Sequence, residues 1–142
     1  MKKKKVWRYY CDFCGKGGCS GGAMAKHEKR CTMNPNRECG FHMDPLNIIE
    51  ETQIELDELR KLIREAVLDS QEADTELVAA LLDAAYGCPA CVLAAIRQEN
   101  ATRDEGHQIH LTAFHYKEET ERIFGEARER WNEEAQRDAM YC

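Results

Sequence analysis

The chain has 142 residues, of which 43% are hydrophobic, 32% charged and 8% aromatic, with three prolines and a formal net charge of −6. That length makes one compact domain or two very small ones, and the composition excludes a disordered chain or a fibrous repeat. Apolar runs such as Leu77-Val78-Ala79-Ala80-Leu81-Leu82 are far short of the ~20 residues a bilayer span needs, and no apolar stretch follows Met1-Lys2-Lys3-Lys4-Lys5 to complete a signal peptide. The expectation is therefore a cytoplasmic protein in a reducing compartment, with no membrane partner.

Charge divides the chain. Residues 1–43 hold ten Lys/Arg against three Asp/Glu, a net of +7, and residues 44–142 hold ten against 23, a net of −13. A basic head (1–43) on an acidic body (44–142) follows, and such a head attracts anionic partners that the body repels. The alternative is that both are merely solvated surface.

The head opens with a short hairpin expected around Trp7–Lys16. It carries Cys11-Asp12-Phe13-Cys14, a Cys-x2-Cys pair, and His27-Glu28-Lys29-Arg30-Cys31 supplies a His-x3-Cys pair twelve residues later. A His and a Cys four apart share one face of a helical turn, here on a helix starting near Ser20–Ala23. Three thiolates and an imidazole make a closed tetrahedral set, suited to structural zinc: site 1 is Cys11, Cys14, His27 and Cys31. The competing reading is a Cys11/Cys14 redox pair with His27 at the surface.

Two half-sites remain. Cys39-Gly40-Phe41-His42 is Cys-x2-His and Cys88-Pro89-Ala90-Cys91 is Cys-x2-Cys, separated by 45 residues. Joined, Cys39, His42, Cys88 and Cys91 form site 2, a second structural Zn2+ that clamps head to body. Cys88–Cys91 at a helix start also resembles a dithiol redox motif, although no βαβ pattern surrounds it. Cys19 reads as a free thiol that could replace a ligand, and Cys142 has no assigned mate. His107, His110 and His115 read as surface histidines.

The run from Tyr10-Cys11-Asp12-Phe13-Cys14-Gly15-Lys16 through His27–Cys31 to Asn34-Pro35-Asn36-Arg37-Glu38-Cys39 resembles the small zinc-finger proteins of phages and other mobile elements. In that type an Asn-Pro-x-Arg turn precedes a further Cys-x2-Cys, and here His42 takes the last place. The resemblance covers residues 7–43 and reaches 88–91. It implies intracellular zinc binding and a mobile-element setting, and implies no particular activity.

The body reads as helices. Asp44-Pro45 suits a helix start, and Ile49, Leu56 and Ile63, interleaved with Thr52, Leu59 and Ala66, extend an a/d stripe to about Asp69. The stripe suits packing within a bundle; the alternative is self-association into a homodimer through Ile49–Ile63. Thr75 is expected to cap a second helix that buries Leu77, Val78, Leu81, Leu82 and Ala85 and stops at Gly87. Pro89 opens a third through Ile96, a polar link spans Gln98–Gln108, and a last helix runs from Thr112 or Tyr116 to Arg137. The fold class is mostly α: a Cys3His zinc finger of hairpin plus helix, joined to a bundle of three to four helices.

No nucleotide-binding loop, His-Glu-x-x-His or Gly-x-Ser-x-Gly pattern occurs, and four protein ligands leave a zinc no position for water, so the chain is not expected to be an enzyme. Two functions fit. In the first, a zinc-binding regulatory protein contacts DNA or RNA through Lys2, Lys3, Lys4, Lys5, Arg8, Lys26, Lys29 and Arg30, with Trp7, Tyr9 and Tyr10 offering faces to bases. In the second, a phage-type or mobile-element factor docks on a larger nucleic-acid-handling host complex and regulates or inhibits it.

Overall fold

The computed structural model describes residues 1–42, 48–49 and 54–141. Strand β1 (Tyr9–Tyr10) pairs antiparallel with β2 (Gly17–Gly18), Tyr9 opposite Gly18 and Tyr10 opposite Gly17. Helix α1 (Gly21–Arg30) follows at once, because the Ser20 hydroxyl accepts the Ala23 N–H and so satisfies an otherwise unpaired donor. His27, Lys29 and Arg30 fill its last turn, where positive charge opposes the helix dipole.

Four helices build the body: α2 (Leu56–Glu65), α3 (Gln71–Ala84), α4 (Pro89–Ala101) and α5 (Tyr116–Tyr141). Helix α4 lies at the centre. Alanines 90, 94 and 95 let its neighbours approach closely, and its Val92 packs with Leu59 and Ile63 of α2, Leu77, Val78 and Leu81 of α3, and Ile123 and Ala127 of α5 in one core. Leu59 and Ile63 lie four residues apart on α2, so both reach that core from one face. Between α3 and α4 the chain turns by 119°. Tyr86 and Gly87 adopt positive φ there, and the Gly87 N–H reaches back to the Leu82 carbonyl at 2.7 Å, closing α3 as glycine after a helix does.

Several boundaries differ from the sequence expectation, each for a local reason. Ile48, Ile49, Ile54 and Glu55 are not helical, and α2 starts only at Leu56; Asp44-Pro45 and Thr52 lie outside the described residues, as does the boundary between residues 43 and 44. Ile48 and Ile49 are buried all the same, held by the Ile49 N–H on the Phe41 carbonyl and by Arg130 on the Ile48 carbonyl. Ser70, not Thr75, caps α3, accepting the Ala73 N–H at 3.2 Å, while the Thr75 hydroxyl donates to the Gln71 carbonyl inside the helix. Residues 98–101 belong to α4 rather than to a link. The segment after it is pinned by Asn100, whose side chain bonds both the N–H and the carbonyl of Ile109 at 2.8 Å. Helix α5 continues past Arg137 to Tyr141.

Glu99, 3% exposed, sits under three guanidinium groups. Arg60 Nε and Arg64 donate at 3.1 and 3.0 Å, and Arg103 lies at 3.7 Å. This cluster ties α2 to α4 through a carboxylate that cannot be removed without leaving three partly desolvated cations. Glu99→Ala is expected to lower stability by roughly 3 kcal/mol, the low end for breaking a buried pair because the arginines are partly exposed. Glu99→Gln should cost less, since an amide oxygen still accepts one guanidinium hydrogen bond. Urea denaturation of the metal-loaded protein measures both.

Candidate metal centres

Site 1 is built from the hairpin and α1. The Gly15 N–H donates to the Cys11 carbonyl and the Cys11 N–H to the Lys16 carbonyl, both at 2.9 Å, folding residues 11–16 into a tight turn that aims two sulfurs the same way. Gly15 has φ +71°, a conformation that strains any residue with a Cβ. Helix α1 brings in the imidazole: His27 Nε2 lies 3.2 Å from the Cys14 sulfur. Cys31 follows the last helical residue. The ligand atoms of Cys11, Cys14, His27 and Cys31 all lie within 4.8 Å of one another.

Around this group the chain braces itself. The Glu28 carboxylate accepts the Asp12 N–H at 3.0 Å, linking α1 to the Cys-x2-Cys turn. Desolvation raises the Cys11 thiol pKa, but backbone N–H groups of Cys14 and Phe13 outweigh it and leave the thiol below its ordinary value. Burial pushes Cys31 up, and the neighbouring sulfurs of Cys14 and Cys11 push the same way. One thiol is thus prepared to ionise while crowding resists ionising the next. A cation between them relieves that conflict.

Site 2 is assembled across the fold. Cys39 and His42 flank a single helical turn (Gly40–His42), Cys88 precedes Pro89 at the start of α4, and Cys91 lies one turn into that helix. Cys39 and Cys88 sulfurs are 3.6 Å apart, and Cys91 is 3.8 Å from His42 Nε2. All four ligand atoms lie within 4.8 Å. Tetrahedral zinc with Zn–S near 2.3 Å and Zn–N near 2.0 Å requires edges of about 3.5–3.8 Å, so these separations fit the ion. A disulfide needs sulfurs at about 2.05 Å, which no Cys39–Cys88 bond at this distance satisfies.

Electrostatics at site 2 tell the same story more strongly. Hydrogen bonds from the Cys88 and Cys91 thiols hold Cys39 far below the ordinary thiol range. That contact with Cys39 drives Cys88 well above the range and pushes Cys91 up to about 12. Burial opposes charge on His42, but the Cys39 and Cys88 sulfurs override it and push its pKa up to about 10. Crowding thus resists ionising all three thiols at once, and a cation among them relieves that conflict. Arg37 points a guanidinium nitrogen at the Cys91 sulfur from 3.9 Å, the kind of outer contact that stabilises a ligating thiolate. Cys39, His42 and Cys91 also border a cavity of about 560 Å3 shared with Arg37, Glu55 and Gln98.

The two groups sit in different surroundings. Near site 1 the buried apolar set is Cys11, Met24 and Cys31, with Met33 packed on it. Cys88 and Cys91 belong instead to the main core of the body, with Cys39 and Phe41 against it. Between them, the Gln98 amide donates to the carbonyls of Thr32 (2.8 Å) and Asn34 (3.1 Å), and Arg97 donates to the Thr32 hydroxyl at 3.0 Å. Sequence reasoning missed the roles of Arg37 and of Gln98, which stands among Arg97, Glu99 and Asn100 and reads there as the start of a polar link.

Cys19 is exposed and joins neither cluster, and Cys142 lies outside the described residues. His107, His110 and His115 are exposed and, among the described residues, belong to no metal-ligating group. Lys2, Lys3, Lys4, Lys5, Arg8, Lys26, Lys29 and Arg30 are all exposed. Among the described residues no single helix is long and apolar enough to cross a membrane. No protein-family model, curated protein or solved structure matches the chain. The ligand geometry therefore defines the class: a mostly helical protein with two Cys/His clusters able to hold metal ions.

Proposed function

We propose that the chain is a zinc-binding regulatory protein whose basic head contacts nucleic acid, with both zinc ions structural. The observation that carries this reading is the pairing of a Cys3His group with a wholly exposed set of basic side chains on the same small unit. Four protein ligands per ion close each tetrahedron, which favours holding shape over activating water. The likeness to phage and mobile-element finger proteins in residues 7–43 supports the zinc binding and a mobile-element setting, and implies no particular activity.

Salt dependence tests it. With about 4–6 phosphate contacts, affinity for DNA or RNA is expected to fall roughly 100- to 1000-fold between 50 and 200 mM salt. Changing both Lys29 and Arg30 to Glu should flatten the log–log salt slope by about 2, one unit for each lost phosphate contact. Both side chains are exposed, so the variant should keep its metal content.

A second reading, a factor that docks on a larger nucleic-acid-handling complex, draws on α5. Its residues 131–140 are all exposed, Trp131 among them, on a helix that reaches the core only through its earlier turns. Indifference to heparin and DNA at low salt, together with capture of one host protein that is lost on Trp131→Ala, would replace the first reading with the second.

A further inference from the structure

The head's aromatic residues are placed in a way that its charge alone does not explain. Tyr9 and Tyr10 are 46% and 58% exposed, yet each ring rests on a glycine. A Cβ added to Gly17, the cross-strand partner of Tyr10, would stand 3.0 Å from Tyr10 Cε1 and 3.3 Å from its Cδ1. A Cβ on Gly21, the first residue of α1, would stand 3.2 Å from Tyr9 Cε1 and 3.3 Å from its Cζ. A side chain at either glycine would crowd the ring that now lies against the backbone. Successive strand residues project to opposite faces, so the hairpin presents one supported ring on each side. Exposed Trp7 and Arg8 precede them, and exposed Lys16 adjoins Gly17.

We propose that this hairpin binds single-stranded nucleic acid, stacking unpaired bases on Tyr9 and Tyr10 while Lys2–Lys5, Arg8 and Lys16 follow the phosphates. The proposal rests on the reading of the head as a nucleic-acid contact and narrows it to one substrate class. Rings fixed against a backbone lose little freedom when a base covers them, and every base offers a π-face, so binding of this kind tolerates any sequence. A duplex keeps those faces stacked inside. Duplex reading by α1 is disfavoured by its composition, because fingers that read the major groove use side chains near the helix start. Of the positions such fingers use, Ser20 is engaged in capping α1 and the third helical residue is Ala23, which leaves Lys26 alone with a donor for a base edge.

The test uses the full, zinc-loaded chain and fluorescence anisotropy with three labelled 12-nucleotide probes: oligo-dT, oligo-rU and a mixed-sequence duplex of equal length. Either single strand should bind at least roughly tenfold more tightly than the duplex, and the dT-to-rU ratio reports which sugar is preferred. Tyr9→Leu and Tyr10→Leu, which keep an apolar cover over Gly21 and Gly17, should each weaken single-strand binding by roughly tenfold and leave duplex binding unchanged. Zinc content and thermal melting of each variant show whether the head is intact, and the wild-type comparison of strand with duplex needs no variant. Equal affinity for strand and duplex, or folded Leu variants that bind like the wild type, overturns the stacking proposal while the basic-head reading stands. Absence of binding to all three probes at 50 mM salt overturns both.

Discussion

Disabling site 1, by Cys14→Ser or His27→Ala, is expected to unfold residues 9–31 while most of the helical signal survives. The physical reason is the poverty of the head's interior. Of its three buried apolar residues, Cys11 and Cys31 are themselves ligands, leaving Met24 with Met33 packed beside it. Tyr9, Tyr10 and Phe13 are exposed and bury little surface. A ladder of two strand residues and a ten-residue helix cannot stand alone, since isolated helices shorter than ~12–15 residues are marginal in water. Structural zinc in such units contributes on the order of 10–16 kcal/mol, more than a small domain's net stability. Because α1 holds 10 of the 73 residues in the five helices, far-UV ellipticity should fall by no more than about a seventh. Amide signals of residues 9–31 should collapse together in a heteronuclear NMR spectrum. Cys19→Ser, exposed and outside the cluster, serves as the control and should change neither. Loss of half the ellipticity would mean that the body depends on the head for its fold.

The metal centres were more legible in the sequence than the polar joints around them. Site 1 needs only local spacing: a Cys-x2-Cys turn and a His four residues before a Cys on one helix. Site 2 was readable because its two halves are each incomplete, although their separation concealed that Cys88 and Cys91 lie inside the main core. At the start of α2 the difference arises because periodicity reports burial and not conformation. Ile49 continues the spacing of Leu56 and Ile63 and is buried as that spacing implies. Yet backbone bonds to Phe41 and side-chain bonds from Arg130 hold its segment outside any helix. Gln98 and Glu99 read as the beginning of a polar link, but both are buried, one serving the carbonyls of residues 32 and 34 and the other three arginines. Which buried polar residue meets which partner is a tertiary fact, and no one-dimensional pattern encodes it. Thr75 was expected to cap α3, but it lies inside the helix, and Ser70, immediately before the first helical residue, takes that role.

Cys88→Ser is expected to act in the opposite way to Cys14→Ser, destabilising the body as a whole. Cys88 is fully buried against Leu81, Val92 and their neighbours, and α4 starts from it, so a hydroxyl there replaces a ligand at the centre of the core. Removing a structural metal ligand from a small domain adds the lost metal binding to the cost of an uncompensated polar group, about 1–3 kcal/mol for the latter alone. Thermal melting of α2–α5 should therefore drop and broaden in this variant, while site 1 retains its zinc: metal analysis should find one ion per chain where the wild type carries two. Proton release gives an independent check. Contacts within the metal-free site push the pKa values of His42, Cys88 and Cys91 up and that of Cys39 down, so the raised groups resist losing their protons without a cation. Zinc requires a neutral imidazole and three thiolates, so filling site 2 should expel protons and tighten as pH rises. Calorimetric titration of metal-depleted protein in buffers of different ionisation enthalpy reads their number directly. A release near zero, or two ions retained after Cys88→Ser, would show that Cys39, His42, Cys88 and Cys91 meet for packing and not for a metal.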